Sequence, residues 1–210
     1  MIADRSTRWG ALTWVLLLLP ILVEIPVALA WDQPPYDPVH LTISDLGATT
    51  CTTIDYPEGP VAVCSPLHGL MNAATVLGGV LLGVGGVLLR RLAPSGWKRA
   101  AFPVLLVVSG LSWLAAALVP VDVDLALHVI LALPAFLTYP VALLLVDRGP
   151  GPLLRVRRSA RWVAVFCLVA TLVTLLAPLA GLPLGLIERL ALYPVLLWSI
   201  VVGAAVLREA

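Results

Sequence analysis

Six long apolar stretches alternate with short polar or proline-rich connections along the chain. They occupy residues 10–30, 67–89, 101–119, 125–146, 162–180 and 186–207. Each has about the 20 residues that a helix needs to cross the hydrocarbon core of a bilayer. Inside lipid only helices or closed barrels satisfy their backbone polar groups, and none of the stretches alternates as a strand would. The pattern predicts an all-α integral membrane protein, a six-transmembrane-helix bundle that forms one domain over residues 1–210.

The composition supports a membrane fold over a soluble one. Of the 210 residues, 60% are hydrophobic and 12% are charged, whereas soluble domains are about 45–50% apolar and about 25% charged. A chain of this length cannot hide so much apolar surface in one core, so we expect that surface to face membrane lipids. The net charge of +1 provides no basic excess for a nucleic-acid partner, and we predict none.

The basic residues are distributed unevenly between the two sets of connections. The connections 31–66, 120–124 and 181–185 contain no Lys or Arg, whereas the opposite connections are rich in arginine, Arg5 and Arg8 precede the first stretch and Arg208 follows the last. Because positively charged connections stay in the cytoplasm, the pattern predicts that both termini are cytoplasmic. Lys98 is the only lysine among the 13 basic residues, which favours a GC-rich bacterial genome.

The first apolar stretch has two interpretations. Arg5 and Arg8, followed by an apolar run and the sequence Ala-Leu-Ala at 28–30, resemble a cleavable signal peptide. The run is long for a signal peptide, and Glu24 and Pro26 interrupt its end, so we expect a retained span.

Several prolines lie inside the apolar stretches, where each removes a backbone donor and disturbs the preceding helical turn. Six of them are Pro20, Pro26, Pro103, Pro134, Pro140 and Pro194. We expect kinks at these positions, which packing against neighbouring helices can accommodate.

The connection 31–66 is the only large segment predicted to lie outside the membrane, on the side away from the cytoplasm. It contains Cys51 and Cys64, and cysteines in such an oxidising compartment usually pair. We expect a disulfide bond, which stabilises a loop of this size by about 3 kcal/mol in the chain-entropy model. Two free thiols are the alternative. Cys167 lies within a span and is interpreted as a packing residue.

Polar and ionisable residues recur at one predicted depth, near the end of the bundle that carries the connection 31–66. They are Glu24, His68, Asn72, Asp122, His128 and Glu188, and Ser44 and Asp45 of the connection could reach over them. Isolated charges are costly in lipid, so we expect His68, Asn72, Asp122, His128 and Glu188 to converge in a polar pocket beneath the connection, with Glu24, Ser44 and Asp45 as further candidates. The alternative is that each reaches the interface separately or pairs locally. Arg189 points about 100° away from Glu188 on a helix, and we expect it to turn towards lipid headgroups.

The second apolar stretch carries one helical stripe whose members are spaced three and four residues apart. The stripe consists of His68, Asn72, Thr75, Gly79, Gly83 and Gly86. Small residues four positions apart, such as Gly79 and Gly83, let another helix approach closely. We predict a helix-packing seam at the three glycines and polar sites at His68 and Asn72.

Several short motifs resemble those of a bacterial six-span membrane family that is catalogued as domain of unknown function 998. They are Ser44-Asp45-Leu46-Gly47, Asn72, Pro120-x-Asp122 followed by His128, and Glu188-Arg189. The resemblance would cover nearly the whole chain. It implies the six-span topology, the polar cluster and a location in the bacterial plasma membrane, and it carries no activity.

A more distant likeness is to seven-span alkaline-ceramidase-type hydrolases, which use a Ser, an Asp and three His on zinc. The number of spans departs from that pattern, and so does the placement of His40, His68 and His128. The three histidines also show no local metal-site spacing. We therefore predict neither a metal nor another cofactor.

Three functions are compatible with these residues. The first is a non-catalytic accessory subunit or lipid-binding component of a membrane complex, with membrane lipids and other membrane subunits as partners. The second is an intramembrane enzyme acting on lipids at the outer leaflet, with His128 as base and Glu188 as acid or ligand. Asp122 or Asp45 would orient that base. The third is a small transporter that relays protons through Glu24, His128 and Glu188. We favour the first, because no phosphate loop, nucleophile elbow or dinucleotide fingerprint is visible.

Overall fold

The structure is a computed structural model that describes residues 4–31, 34–57, 59–146 and 154–209. Its helices are α1 (Arg5–Val15), α2 (Leu18–Ala30), α3 (His68–Leu88), α4 (Trp97–Leu118), α5 (Leu125–Leu144), α6 (Leu154–Ala180) and α7 (Leu184–Arg208). Together α1 and α2 form one span, and the described residues contain six helical segments long and apolar enough to cross a membrane. The predicted six-span helical fold is confirmed.

The first span is interrupted at Leu16 and Leu17, between α1 and α2. Pro20 explains the position of the break. Its ring conflicts with the carbonyl group four residues earlier, at Leu16, and it has no N–H to donate. Continuous helices contain the other prolines for which kinks were expected, Pro26, Pro103, Pro134, Pro140 and Pro194.

The spans form a closed ring in which each packs against the next: α1–α3–α4–α5–α6–α7, with α7 returning to α1. Large side chains fill the middle of the ring. Trp14 is fully buried, with its ring centroid 6.4 Å from that of Phe102 and 6.2 Å from that of Trp198. The outward faces carry exposed Leu, Val and Ile side chains, as expected for a surface in contact with lipid.

The two ends of the bundle differ in chemistry. The N-terminus lies beside the connection between α3 and α4, where Arg91 Nη1 is 2.9 Å from an oxygen of Asp4. We call this the arginine end. The opposite end, here called the loop end, carries residues 31–67. Because the number of spans is even, both termini lie at the arginine end.

A β-hairpin covers part of the loop end. Strand β1 (Thr52–Tyr56) pairs antiparallel with β2 (Gly59–Val63), and Thr52 lies opposite Val63. The next pair, on the side away from the hairpin turn, is Cys51 and Cys64. A disulfide bond joins them, and their Cα atoms are 4.1 Å apart. The predicted disulfide is therefore confirmed, and the hairpin register explains why these two cysteines meet.

Gly79, Gly83 and Gly86 of α3 lie against α4, which makes the seam an intramolecular one. A Cβ atom added at Gly79 would collide with the carbonyl oxygen of Gly110, and one added at Gly110 would collide with that of Gly79. At Gly86 a Cβ atom would lie 2.6 Å from Cβ of Leu106. Gly83 leaves more space, since its added Cβ would be 3.6 Å from Cα of Val107. The closest approach of the backbones is thus at Gly79.

Candidate functional site

A short 3₁₀ turn, Ser44–Gly47, holds the polar residues of the loop over the bundle. The buried carboxylate of Asp45 accepts a hydrogen bond from Thr42 N at 2.7 Å, and Asp45 N donates to Thr42 Oγ1 at 3.1 Å. The Tyr56 hydroxyl of the hairpin donates to Asp45 at 2.6 Å. Burial raises the pKa of the Asp45 carboxyl group, although these hydrogen bonds oppose the rise. The contacts of Asp45 fix the turn and leave Ser44 facing the bundle.

His128 lies in the first turn of α5, where Asp124 caps the helix by accepting a hydrogen bond from Leu127 N at 2.9 Å. Only 8% of His128 is exposed. Its Nδ1 lies 2.7 Å from the carbonyl oxygen of Val119 and 3.1 Å from that of Ala116. These two carbonyl groups orient the imidazole ring. The role that the sequence suggested for Asp122 or Asp45 in orienting His128 is therefore filled by backbone.

The other ring nitrogen of His128 points to Ser44. Nε2 and the Ser44 Oγ atom are 3.0 Å apart. Glu188, in the first turns of α7, approaches the same hydroxyl group with its Oε1 atom 3.4 Å away. Its Oε2 accepts a hydrogen bond from Ile43 N at 2.5 Å. Helices α5 and α7 and the 3₁₀ turn thus bring His128, Ser44 and Glu188 into one cluster.

These three residues, Ser44, His128 and Glu188, are called the Ser44 cluster, and they lie in the wall between two cavities. A small cavity of about 90 Å³ extends towards α2 and α3 and is also lined by Glu24 and Asn72. A larger groove of about 690 Å³ runs between α5 and α6. Ser44, His128 and Glu188 line both spaces. Five of the eight candidate pocket residues therefore line one cavity, namely Glu24, Ser44, Asn72, His128 and Glu188.

Asn72 joins the cavity through the loop, because its Nδ2 donates to the carbonyl oxygen of Gly47 at 2.9 Å. His68 and Asp122 lie elsewhere. The Nδ1 atom of His68 is 2.9 Å from the carbonyl oxygen of Ser65, at the start of α3. Asp122 binds Thr49 and Thr50 on the outer part of the loop. The expected five-membered cluster of His68, Asn72, Asp122, His128 and Glu188 is thus wrong for His68 and Asp122.

Asp122 serves to anchor the loop. Its carboxylate accepts hydrogen bonds from the backbone N–H groups and the hydroxyl groups of both Thr49 and Thr50, at 2.8 to 2.9 Å. Burial opposes ionisation, but the hydrogen bonds from the two threonines outweigh it and lower the pKa of Asp122.

Arg189 is directed into the protein, contrary to the expectation that it turns to lipid headgroups. Its guanidinium group donates to the carbonyl oxygens of Pro38 and Leu41 at 2.9 and 3.0 Å and to the Tyr36 hydroxyl at 2.5 Å. An oxygen of Glu24 lies 3.6 Å away. The Tyr193 hydroxyl donates to the same carboxylate of Glu24. The several donors of one arginine satisfy loop carbonyls and a buried carboxylate together.

Two contributors to the site were not predicted. The α6 wall of the groove, including Thr171 and Thr174, carries no charged residue that would have singled it out. Tyr36 lies in the irregular part of the loop, where the sequence has no periodicity to place it. Among the described residues no group of three or more His, Cys, Asp or Glu side chains is arranged to hold a metal ion.

A closed ring of spans with a polar cluster beneath a disulfide-linked loop defines a multi-pass integral membrane protein. The family model described as "Protein of unknown function (DUF998)" matches residues 11–205. The chain belongs to this family, so the resemblance noted from its motifs is confirmed. No curated protein matches the chain, and no solved structure does. The function must therefore be argued from the site itself.

Proposed function

We propose that the protein binds a lipid or a lipid-like amphiphile at the loop end of the bundle. The groove between α5 and α6 is the observation that carries this proposal. Its volume of about 690 Å³ falls within the range of about 300–1,000 Å³ typical of small-molecule sites. The occupant would place an apolar chain in the groove and its polar part at the Ser44 cluster.

The walls of the groove suit an acyl chain. They are formed mainly by aliphatic and aromatic side chains, including Leu133 and Phe136 on α5 and Leu175 on α6. Such a surface binds hydrocarbon through its shape and its lack of polar groups.

The groove also opens towards the surrounding lipid. Val129, Ile130 and Leu175 line it and are 47%, 66% and 51% exposed on the outer surface of the bundle. An acyl chain can therefore enter sideways from the bilayer without crossing the polar loop. This route distinguishes a lipid from a water-soluble ligand as the occupant.

Where the groove meets the Ser44 cluster, three hydrogen-bonding groups lie close together. Ser44 offers a hydroxyl group, Glu188 a carboxylate and His128 a ring nitrogen. A lipid has its ester and headgroup oxygens next to its acyl chains. The groove has the same arrangement, since its apolar walls lead to the polar groups of the Ser44 cluster. With both termini in the cytoplasm of a bacterium, as the sequence predicts, the site would lie in the outer leaflet of the plasma membrane.

The test is the lipid content of protein purified in native nanodiscs and analysed by mass spectrometry after delipidation steps of increasing stringency. Thr174→Trp should fill the groove and reduce retained lipid at least several-fold. Val169→Trp is the matched control, because Val169 lies on the same helix and is 56% exposed outside the groove. Equal lipid retention by both variants and the unmodified protein would show that the groove is not the binding site.

The sequence also led us to expect a role as an accessory subunit, and that role remains a prediction alongside the proposed lipid binding. Stoichiometric co-purification with other membrane proteins from native membranes would support it. Recovery of the chain alone, with lipid bound, would favour a self-contained lipid-binding protein.

A further inference from the structure

We propose that Ser44 is a nucleophile activated by His128, and that the site cleaves the acyl ester of the lipid held in the groove. This inference rests on the proposed lipid binding and adds a reaction to it. Ser44 supplies a nucleophile and His128 a base, and the carbonyl groups of Val119 and Ala116 orient that base. The distance of 3.0 Å between Ser44 Oγ and His128 Nε2 lies within the usual reach of about 2.6–3.2 Å for such a pair.

The hydrogen-bond partners of His128 assign its tautomer. Both groups facing Nδ1 are backbone carbonyl oxygens, of Val119 and Ala116, which only accept hydrogen bonds. Nδ1 must therefore carry a hydrogen atom, and in the neutral ring Nε2 has a free lone pair. The Ser44 hydroxyl can donate to that lone pair. This is the arrangement that a general base needs before it removes a proton.

Ser44 differs from the buried serines of the bundle. Ser65 and Ser112 are buried and donate to backbone carbonyl oxygens, whereas Ser199 is buried and accepts from the Tyr139 hydroxyl. Ser44 is half-buried and lines both cavities. Its hydroxyl is held by the turn and remains accessible from the groove.

Glu188 acts as a positioning residue. Its 2.5 Å hydrogen bond with Ile43 N fixes the backbone next to Ser44. Its second oxygen is farther from the Ser44 hydroxyl than His128 Nε2 is, 3.4 Å against 3.0 Å, so the histidine is the nearer acceptor.

The reaction proceeds in two steps, acylation of Ser44 and hydrolysis of the acyl-Ser44 ester. Ser44 Oγ attacks the ester carbonyl carbon while its proton passes to His128 Nε2. The C–O bond to the alcohol part then breaks, and His128 returns the proton to the departing oxygen, leaving an acyl-Ser44 ester. Water from the loop end attacks that ester, His128 takes and returns its proton in the same way, and the fatty acid leaves with Ser44 restored.

A fluorophosphonate probe tests the nucleophile in the full-length protein in nanodiscs. Attack by Ser44 on phosphorus expels fluoride and leaves a stable phosphonyl adduct that peptide mass spectrometry can locate. We expect the adduct on Ser44 in the unmodified protein, none in Ser44→Ala, and labelling at least about 100-fold slower in His128→Gln. Ser95→Ala is the control, since Ser95 is exposed in the connection between α3 and α4.

An unlabelled wild-type Ser44, or labelling that His128→Gln leaves unchanged, would overturn the inference. If a variant fails to fold, the location of the adduct in the wild-type protein decides the question by itself. Lipid analysis of the same samples separates the two proposals. Bound lipid without labelling contradicts the nucleophile alone, whereas labelling of Ser44 without lipid retention contradicts lipid binding in the groove.

Discussion

Arg189 and Tyr36 join the last helix to the loop: the guanidinium Nη2 of Arg189 lies 2.5 Å from the Tyr36 hydroxyl, and Cζ of Arg189 is 5.7 Å from the centroid of the tyrosine ring. The residues are 153 positions apart in the chain. The same guanidinium group faces Glu24 of α2. One side chain therefore connects α7, α2 and the loop that closes the polar cluster.

Removing the Arg189 charge should destabilise the protein strongly. Arg189 and Glu24 have side chains that are 11% and 13% exposed, and breaking a buried ion pair from one side typically costs about 3–5 kcal/mol. We expect Arg189→Gln to lower the thermal midpoint in detergent and to expose the loop to proteolysis. Arg208→Gln, at an exposed position of the same helix, is the control.

A paired variant separates charge from packing. If the unpaired Glu24 carboxylate causes the loss, Glu24→Gln combined with Arg189→Gln should recover part of the stability. No recovery would indicate that the hydrogen bonds of Arg189 to the loop carbonyls matter more than the ion pair.

The contact between Gly79 and Gly110 leads to a second prediction, which concerns stability. Gly79→Ala should destabilise the protein by about 1–3 kcal/mol or more, because the added carbon would overlap backbone that cannot turn aside. Gly69→Ala in the same helix is the matched control, since nothing lies within 4 Å of its added Cβ. That control should be neutral or stabilising by roughly 0.5–1 kcal/mol. Equal effects at the two positions would contradict a close α3–α4 seam.

The disulfide should stabilise the loop end. Replacing both Cys51 and Cys64 with Ser should reduce stability by about 3 kcal/mol in the chain-entropy model, since the bond closes a short loop. Thermal unfolding with and without reductant measures this, and the double variant is its own control because reductant should not affect it. A wild-type protein indifferent to reductant would mean that the bond contributes nothing to stability.

The orientation of the bundle is the fourth prediction. Activity-reporter fusions after the C-terminal residue should give a cytoplasmic signal, and a fusion within the hairpin segment 52–63 should give an exported one. The reason is the absence of Lys and Arg from the connections at the loop end. An exported C-terminal reporter would reverse the proposed leaflet of the lipid site.

The sequence was sufficient to predict the spans, because a bilayer restricts both the length and the backbone hydrogen bonding of a segment that crosses it. It also identified His128 and Glu188, since ionisable residues stand out in an apolar stretch. Their distance from Ser44 could not be read from the sequence. That distance depends on the order of helices around the ring, which periodicity within a helix does not determine.

The residues whose positions were wrongly predicted show the same limit of the sequence. His68 and Asp122 have the right depth, but depth does not reveal whether a side chain turns to the cavity, to a helix end or to the loop. Arg189 was expected at the headgroups because adjacent positions on a helix diverge. The loop, however, folds back over that face of α7 and supplies the carbonyl oxygens of Pro38 and Leu41.

The last prediction concerns Asp122, which ties the loop to the connection between α4 and α5. Hydrogen bonds from Thr49 and Thr50 lower its pKa below the ordinary 3.8 even though burial opposes this. A carboxyl group whose pKa is lower in the folded protein stabilises the fold at pH values above its ordinary pKa. That stabilisation is lost as the pH falls through the lowered folded value.

Asp122→Asn should therefore be less stable than the unmodified protein at pH 7, and the difference should shrink below about pH 3.8 as the wild-type carboxylate is protonated. Thermal unfolding at pH 7 and pH 3 measures the two differences. Asp55→Asn removes a charge from an exposed position on the hairpin and should have little effect. A difference that stays the same at both pH values would mean that Asp122 stabilises the loop through the shape of its side chain, because an effect of its charge must disappear on protonation.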